Sequence, residues 1–336
     1  MQMRKLIFLL CFIPLITSCE KLQNDFNSKA VDKLIHPNID LQVSSWIRLD
    51  SLTEFSLSDV SFSDENNGMI SGFGGIVYVT RNGGESWRTI NTHANMTFHT
   101  IYSLNEETFF TARKGLYKST DSGNTWKLCK FSADISIFEI WFKDSKIGFL
   151  SSGSGTFRTT DAGETWTKVA DAIARNLQFT SEDIGYFTYG STSVTKSGFL
   201  PGPSSSFGDI YRTTNGGRTW KEMGLDVKEI GSLSFISDKI GFFATNDCSL
   251  YKTTDGGETC TLIGKKEFYS YDLFFVNENQ GLACTGNGIS ITLDGGETFT
   301  PEYVYKGNGQ IYDFEFPSPT TGYAIGNYGM MLKRIP

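Results

Sequence analysis

Histidine and positive charge are both scarce in this chain of 336 residues. None of its three histidines, His36, His93 and His99, has another histidine or a cysteine at zinc-ligand spacing, so no zinc site is indicated. The 30 lysines and arginines are outnumbered by 37 acidic residues, which argues against a nucleic-acid partner. Helical periodicity is scarce, and neither a Gly-Lys-Ser/Thr phosphate loop nor a Gly-x-Ser-x-Gly nucleophile elbow occurs.

A long apolar run occurs only at the N-terminus. Arg4 and Lys5 precede an apolar segment from Leu6 to Ile16, a pattern typical of a signal peptide over residues 1–18. Its removal moves the net charge from −7 to about −9, because two positive charges and no acid are lost. Residues 19–44 are polar and without clear periodicity, so we predict a tether there.

The signal peptide ends in Ile16-Thr17-Ser18-Cys19, which resembles a lipobox. This resemblance implies cleavage before Cys19 and lipidation of that residue, with plain secretion as the alternative. Because two or more acyl chains give stable anchoring, we expect a lipoprotein of the cell envelope, held in the outer membrane through Cys19.

Four cysteines follow Cys19. An export signal permits disulfides, but spacing alone does not decide their pairing. We favour free thiols for Cys129, Cys248, Cys260 and Cys284.

Six near-copies of an eight-residue pattern recur along the chain. Each has Ser/Thr, any residue, Asp/Asn, any residue, Gly, any residue, Ser/Thr and then usually Trp, as in Thr213–Trp220. Their third positions are Asn82, Asp121, Asp161, Asn215, Asp255 and Asp294. These positions are 39 or 40 residues apart, except for one interval of 54. A period near forty residues is typical of a propeller or a solenoid.

The residue types of the repeat predict a β-hairpin turn. Short β-prone runs such as Leu116–Ser119 flank each copy. An Asp or Asn side chain accepts hydrogen bonds from nearby backbone amides, and Gly supplies a positive φ. The six positions therefore indicate a structural role rather than a catalytic one, and Asn82 and Asn215 could not act as acids.

The repeat resembles the Asp-box, or bacterial neuraminidase (BNR) repeat, from about Trp46 to the C-terminus. That motif occurs in sialidases, sortilin-type receptors, xyloglucan hydrolases and the photosystem II assembly-factor family. The forty-residue spacing and glycine-rich units are most similar to the last of these, a resemblance that implies a β-propeller.

A second pattern indicates the number of repeat units. An aromatic residue is followed six positions later by glycine at Phe62/Gly68, Phe142/Gly148, Phe179/Gly185, Phe235/Gly241, Phe275/Gly281 and Phe316/Gly322. Tyr102 with Thr108 is a weaker seventh member. Each unit predicts four strands, so residues 45–336 are expected to form one all-β domain, a seven-bladed β-propeller of antiparallel blades.

The seventh unit lacks its outer strand. Trp46–Leu49 matches the Trp-led fourth strands of the other units, so this N-terminal strand is predicted to complete the last blade. Closure of the ring would hide sheet edges that otherwise invite aggregation. A six-bladed ring and an open solenoid are the alternatives.

One insertion, near residues 190–208, interrupts the fourth unit between its second and third strands. In a propeller that loop lies on the face opposite the repeat turns, where long loops are often functional.

A polar residue recurs three positions before each aromatic marker: Asp59, His99, Glu139, Asn176, Ser232, Asp272 and Asp313. At the starts of the inner strands these side chains would form a ring around one channel mouth. The four carboxylates could attract a cation or a basic partner segment, or they could simply be polar because the channel is wet. Nothing else indicates a cofactor.

These features together favour a non-enzymatic function. We predict a lipid-anchored envelope scaffold that docks a protein partner and assists assembly of an envelope complex. The alternative is a glycan-binding or glycoside-cleaving surface protein, which as an enzyme would need two carboxylates in one pocket. The early Arg-Ile-Pro motif of sialidases is absent, since Arg334-Ile335-Pro336 ends the chain. Tyr269, Tyr271, Tyr303 and Tyr305 fit either a binding surface or packing between blades.

Overall fold

The computed structural model describes residues 41, 45–72, 75–91, 98, 100–112, 115–131, 136–189, 209–227, 229–307, 309–318 and 321–335. These residues form β-strands, turns and connections, and the described part includes no helix long and apolar enough to cross a membrane. The signal peptide, most of the tether including Cys19, His99, and the insertion at 190–208 lie outside the described residues.

The strands group into seven antiparallel sheets of four. The first three blades are β2 (Leu57–Phe62), β3 (Gly68–Gly72), β4 (Ile76–Thr80) and β5 (Arg88–Asn91); β6 (Thr100–Ser103), β7 (Phe109–Ala112), β8 (Leu116–Ser119) and β9 (Lys127–Leu128); and β10 (Ile137–Phe142), β11 (Gly148–Ser152), β12 (Gly155–Thr159) and β13 (Thr167–Ala170). The next three are β14 (Ala174–Phe179), β15 (Gly185–Tyr189), β16 (Ile210–Thr213) and β17 (Lys221–Glu222); β18 (Ile230–Phe235), β19 (Gly241–Thr245), β20 (Ser249–Thr253) and β21 (Thr261–Lys265); and β22 (Asp272–Phe275), β23 (Gly281–Cys284), β24 (Gly288–Thr292) and β25 (Thr300–Val304).

The seventh blade closes the ring as predicted. It comprises β26 (Ile311–Glu315), β27 (Gly322–Gly326), β28 (Met331–Ile335) and, as its outer strand, β1 (Ser45–Arg48). Antiparallel pairing sets Trp46 opposite Arg334 and Arg48 opposite Leu332. Each inner strand contacts the inner strand of the next blade, and β26 contacts β2. The predicted seven-bladed propeller with an N-terminal closing strand is therefore confirmed.

The fourth strand of the third unit, expected from the sequence over Thr165–Val169, spans Thr167–Ala170 in the structure. The amide of Thr165 donates a 2.9 Å hydrogen bond to Asp161 Oδ1, so that residue belongs to the turn and not to the ladder.

Inter-blade packing explains the aromatic marker. Phe142 pairs across the strands with Gly148, and its ring lies so close that a Cβ on Gly148 would be 2.5 Å from Phe142 Cδ1. The other face of the Phe142 ring packs against Phe110 of the preceding blade, with ring centroids 4.7 Å apart. Phe62 on Tyr323 and Phe235 on Tyr186 repeat this arrangement at 4.0 and 3.5 Å. Glycine is therefore required because the aromatic ring occupies the space of a side chain.

Blade 2 uses its weaker marker differently. Tyr102 is buried and donates a 2.8 Å hydrogen bond from its hydroxyl to the carbonyl of Phe142 in blade 3. The aromatic ring of Tyr102 is thus held by a polar contact to the next blade, and no glycine is needed opposite this side chain.

Cations on the third strands also join neighbouring blades. Lys118 Nζ donates to the carbonyl of Ala162 (2.9 Å), Arg158 Nε to that of Gly216 (3.1 Å) and Lys333 Nζ to that of Gly83 (2.6 Å). In each case the acceptor lies in the repeat turn of the next blade, so these side chains serve the architecture.

The closing strand is fixed by a buried polar cluster. Trp46 Nε1 donates to Glu302 Oε2 at 2.7 Å, and Arg334 forms an ion pair with Glu302 at 2.9 Å. The Arg334 and Glu302 side chains are only 3% and 9% exposed. We call these three residues the latch, because they join β1 and β28 of blade 7 to β25 of blade 6.

Leu41 shows that part of the predicted tether packs on the propeller. Its side chain is buried in a cluster with Val276, Leu282 and Leu332, and its amide donates to Gln280 Oε1 at 3.0 Å.

Candidate functional site

The two ends of the propeller carry different groups. The repeat turns join third and fourth strands at one end, called here the box end. The inner strands begin at the opposite end, called here the mouth end, together with the loops between second and third strands and the connections between blades.

At the box end the six repeat residues build hydrogen-bonded turns. In the third blade, Thr159 Oγ1 donates to Asp161 Oδ1 at 2.8 Å and accepts from the amide of Gly163 at 2.9 Å. Asp161 Oδ2 accepts from Thr165 Oγ1 at 2.6 Å. This hydroxyl, the Thr165 amide and the Thr159 hydroxyl lower the pKa of Asp161 to about 2. Asn82 and Asn215 make the amide version of the same turn.

At the mouth end, six of the seven predicted ring residues lie at one level of the inner strands. Each stands three residues before its aromatic marker, and the seventh, His99, lies outside the described residues. The described members are Asp59 on β2, Glu139 on β10, Asn176 on β14, Ser232 on β18, Asp272 on β22 and Asp313 on β26.

The ring carboxylates accept hydrogen bonds from the backbone of the next blade. Asp59 Oδ2 accepts from the amide of Ile101 at 2.8 Å, and Glu139 Oε1 accepts from the amide of Leu177 at the same distance. Asp272 similarly accepts from the amide of Phe314. Each of these carboxylates therefore joins adjacent inner strands, a role that the sequence pattern did not indicate.

Asp59 and Asp313 form a carboxyl pair across the closure of the ring. Burial raises the pKa of Asp313 to about 6, although the Val60 amide and the Asp59 side chain donate hydrogen bonds to it and oppose the rise. Burial, followed by the negative charge of Asp313, raises the pKa of Asp59 well above its ordinary value. Two adjacent buried carboxyl groups do not both ionise readily, because the negative charge of one opposes ionisation of the other.

Asp272 and Glu139 face the same channel from other blades. Burial raises the pKa of Asp272 well above its ordinary value, and the charges of Asp313 and Glu139 add to this effect. Burial also raises the pKa of Glu139, against the amide of Leu177 and the positive charge of Arg175. Carboxyl groups from blades 1, 3, 6 and 7 thus act on one another electrostatically through the channel mouth.

Arg175 brings a positive charge to this acidic region. Its guanidinium Cζ lies 4.4 Å from the centre of the Phe138 ring, a cation–π contact between blades 4 and 3. Burial lowers its pKa, and the charge of Glu139 opposes that shift.

Asn176 and Ser232 complete the described part of the ring. Asn176 has a φ of 52°, and its side-chain amide donates to the carbonyl of Gly231 at 3.0 Å. The Ser232 hydroxyl is buried without a hydrogen-bond partner. Among the described residues, no group of three or more His, Cys, Asp and Glu side chains is placed to hold a metal ion.

The loops and connections of the mouth end are acidic. Their described charged residues comprise eight acids and three lysines. The acids are Asp50, Glu54, Asp171, Asp209, Asp226, Glu229, Asp247 and Glu267, and the lysines are Lys130, Lys266 and Lys306. The loops of the box end carry a larger excess, 17 acids against five lysines and arginines, so net charge alone does not distinguish the mouth end.

Two large exposed side chains at the mouth end were not predicted. Phe55 is 62% exposed and Tyr328 is 59% exposed. The only sequence signal for the second was Asn327-Tyr328-Gly329, whose flanking Asn and Gly are typical of a tight hairpin turn.

The four tyrosines considered for glycan binding are partly buried. Tyr271, Tyr303 and Tyr305 pack against the core between blades 6 and 7, and Tyr269 makes an edge contact with Tyr271 at 4.8 Å. The four described cysteines form no disulfide, in agreement with the preference for free thiols.

Comparisons with known proteins support the resemblance inferred from the repeats. Residues 39–136 match the model of the family described as photosynthesis system II assembly factor YCF48, which covers less than a third of the chain. A structure titled YCF48 bound to D1 peptide is similar with a TM-score of 0.70 at 20% identity, covering 89% of this chain and 99% of that one. YCF48 from Cyanidioschyzon merolae is similar with a TM-score of 0.68 at 19% identity, covering 87% and 99%.

Glycoside hydrolases share the fold over part of their length. The GH74 enzyme of Niastella koreensis is similar with a TM-score of 0.61 at 14% identity, covering 80% of this chain and 50% of the enzyme. No curated protein sequence matches the chain significantly. The confirmed resemblance is therefore to YCF48-type Asp-box propellers, by family model over residues 39–136 and by fold over the whole ring.

Proposed function

We propose that this protein is a lipid-anchored envelope scaffold whose mouth end docks a segment of a protein partner and so assists assembly of an envelope complex. The observation that carries the proposal is the contrast between the two ends. Asp-box turns fill the box end with internal hydrogen bonds, whereas the mouth end leaves the aromatic side chains of Phe55 and Tyr328 exposed.

The electrostatics of the mouth end suit a basic partner segment. A field of one sign raises the local concentration of oppositely charged ligands and speeds their association. The structurally similar YCF48 was solved with a D1 peptide bound, which shows that a propeller of this architecture can serve as a peptide receptor. That precedent supports a protein partner here, and the exposed acids Asp50 and Glu54 beside Phe55 suit a basic segment.

The anchor rests on the sequence alone. The lipobox-like segment ending at Cys19 would hold the propeller at the outer membrane. A Cys19→Ala variant should lose incorporation of an alkyne-labelled fatty acid and move from the membrane to the soluble fraction. Unchanged labelling of this variant would contradict lipidation of Cys19.

The docking proposal can be tested with photo-crosslinkers at opposite ends of one blade. In blade 6, Asn287 is exposed in the loop between second and third strands, and Glu297 is exposed in the repeat turn. Benzoylphenylalanine at each position, introduced into the full chain and irradiated in native cells, should yield a discrete protein adduct from position 287. Adducts from position 297 only, or from neither position, would overturn the proposal.

The alternative is a glycan-binding or glycoside-cleaving protein. It would require two carboxyl groups free to act on a sugar, with exposed aromatic faces beside them. The mouth carboxylates instead accept hydrogen bonds from the backbone of neighbouring blades, and the tyrosines pack on the core. These contacts favour the scaffold over the hydrolase.

A further inference from the structure

Phe55 and Tyr328 are two exposed aromatic residues on neighbouring segments at the closure of the ring. Phe55 lies in the connection from β1 to β2, and Tyr328 lies in the turn between β27 and β28. The amide of Gly329 donates a 2.7 Å hydrogen bond to the carbonyl of Phe55, which brings the two segments together. We refer to Phe55 and Tyr328 as the seam aromatics.

The backbone beneath the seam aromatics is held by several further contacts. Ser56 Oγ donates to Asn327 Oδ1 at 3.3 Å, and the amide of Asn327 donates to the carbonyl of Gln310 at 2.9 Å. The amide of Met330 donates back to the carbonyl of Asn327 at 3.0 Å, which closes the turn. The pair is therefore preorganised, and binding on it would cost little ordering of the backbone.

Tyr328 occupies a conformation that disfavours a tyrosine. Its φ is 55° and that of Gly329 is 64°, as in a turn with both central residues left-handed. Asn or Gly is preferred at the first central position, because a bulky residue with positive φ is strained. Gly329 is needed because a Cβ there would overlap the carbonyl of Thr53. A tyrosine in a strained position with its side chain mostly in water points to function rather than stability.

The charges around the seam aromatics indicate what they bind. Asp50 and Glu54 are exposed in the same connection as Phe55. An aromatic surface flanked by acids suits a peptide whose aromatic or long apolar side chain is accompanied by lysine or arginine.

Resting on the proposed docking function, we infer that the seam aromatics are the anchor point for such a peptide, a short basic segment with an aromatic or long apolar residue, supplied by the partner protein. The aromatic residue would pack on Phe55 and Tyr328, and its basic neighbours would meet Asp50 and Glu54. Charge pairing at the rim makes binding weaker at high salt.

The test is selection of peptides from a random phage-displayed library on the purified, intact propeller. We expect enrichment of sequences that combine Trp, Phe, Tyr or Leu with Lys or Arg. A fluorescein-labelled copy of the most enriched peptide should bind the Phe55→Ala/Tyr328→Ala variant about tenfold more weakly, as expected for a pair of central aromatic anchors. A Leu293→Ala variant is the matched control, since Leu293 is 61% exposed in a repeat turn.

A Tyr328→Asn variant separates binding from folding. Asparagine tolerates the left-handed conformation, so this variant should be at least as stable as the parent protein while losing affinity for the peptide. Enrichment of acidic peptides, or equal affinity of the parent and both seam variants, would overturn the inference. In that event, a crosslink from position 287 would still support docking elsewhere on the mouth end, whereas loss of both results would remove the proposed function as well.

Discussion

Carboxyl groups at the two ends of the propeller differ in their surroundings and in their pKa values. At the box end, Asp161 is surrounded by donors from its own turn, and its pKa falls to about 2. At the mouth end, Asp313 lies among other carboxyl groups in the channel, and burial raises its pKa to about 6. Hydrogen bonds therefore stabilise the ionised form of Asp161 at the box end, whereas burial disfavours the ionised form of Asp313 at the mouth end.

Two glycines in left-handed conformations, one at each end, differ in the space around them. Gly217, in a repeat turn with a φ of 74°, lies against the ring of Phe149. Gly224, in a mouth-end connection with a φ of 70°, has open space where a side chain would begin. Gly217 is therefore tightly packed, whereas the space beside Gly224 is open.

The largest effect is expected from Gly217→Ala. The new methyl group would overlap Phe149 in addition to imposing the left-handed strain, so the variant should lose about 4 kcal/mol of unfolding free energy. Gly224→Ala carries the strain alone and should lose about 1 kcal/mol. Urea denaturation of both proteins measures the difference, and equal losses would contradict tighter packing around Gly217 than around Gly224.

The second effect concerns the latch. Glu302→Ala leaves Arg334 buried without its anion and removes the acceptor of Trp46, which should cost about 3 kcal/mol. Glu278→Ala breaks the more exposed pair with Lys252 and should cost less than about 1 kcal/mol. Thermal unfolding of both variants would show whether ring closure depends on this buried cluster, and a similar small loss for both would refute it.

The third effect is a pH dependence centred on Asp313. Because its folded-state pKa lies above the unfolded value, its contribution to stability is fully present below about pH 4 and is lost as the pH rises through about 6. Asp313→Asn removes this ionisation and still offers an oxygen to the Val60 amide. The unfolding free energy of the variant minus that of the parent protein should therefore be larger at pH 8 than at pH 4.5. The expected increase is on the order of 1 kcal/mol.

Asp294→Asn at the box end is the control for this titration. Hydrogen bonds from the Thr298 side chain and amide lower the pKa of Asp294, so its contribution is present above about pH 4 and is lost only in stronger acid. Melting curves between pH 4.5 and 8 should therefore show a parent-like pH dependence for this variant. A flattened profile for Asp294→Asn, or an unchanged one for Asp313→Asn, would contradict the contrast between the two ends.

The smallest effect is a gain in stability from Tyr328→Asn. Relief of the left-handed strain should add about 0.5 to 1 kcal/mol of unfolding free energy, because asparagine tolerates this conformation. Urea denaturation measures the gain. A loss of stability would mean that Tyr328 supports the fold, and its role as a strained surface anchor would then be wrong.

The architecture could be predicted because each unit repeats the local chemistry of one hairpin. The Thr159–Asp161–Gly163 turn needs only residues close in sequence, and Phe142 with Gly148 is a pair across one tight hairpin. Patterns of this kind are visible in a single sequence. They gave the blade number and the closing strand.

The mouth end was less predictable because its interactions connect distant parts of the chain. The ring positions were identified, but the bond from Ile101 to Asp59 joins two blades and has no sequence signal. The same holds for the latch, where Glu302 is more than two hundred residues from Trp46. The exposure of Phe55 depends on which neighbours fail to cover it, and sequence patterns do not report that.

Three blades donate a cation to the repeat turn of the next blade. Lys118, Arg158 and Lys333 all reach forward into the next blade, so these contacts run in one direction around the circle. Deletion of the unit that contains Ala162 and Arg158 would remove the acceptor of Lys118 and the donor to Gly216, so Lys118 would have to bind the Gly216 turn instead. A change in the number of blades would therefore require the two interfaces beside the lost or added blade to change together.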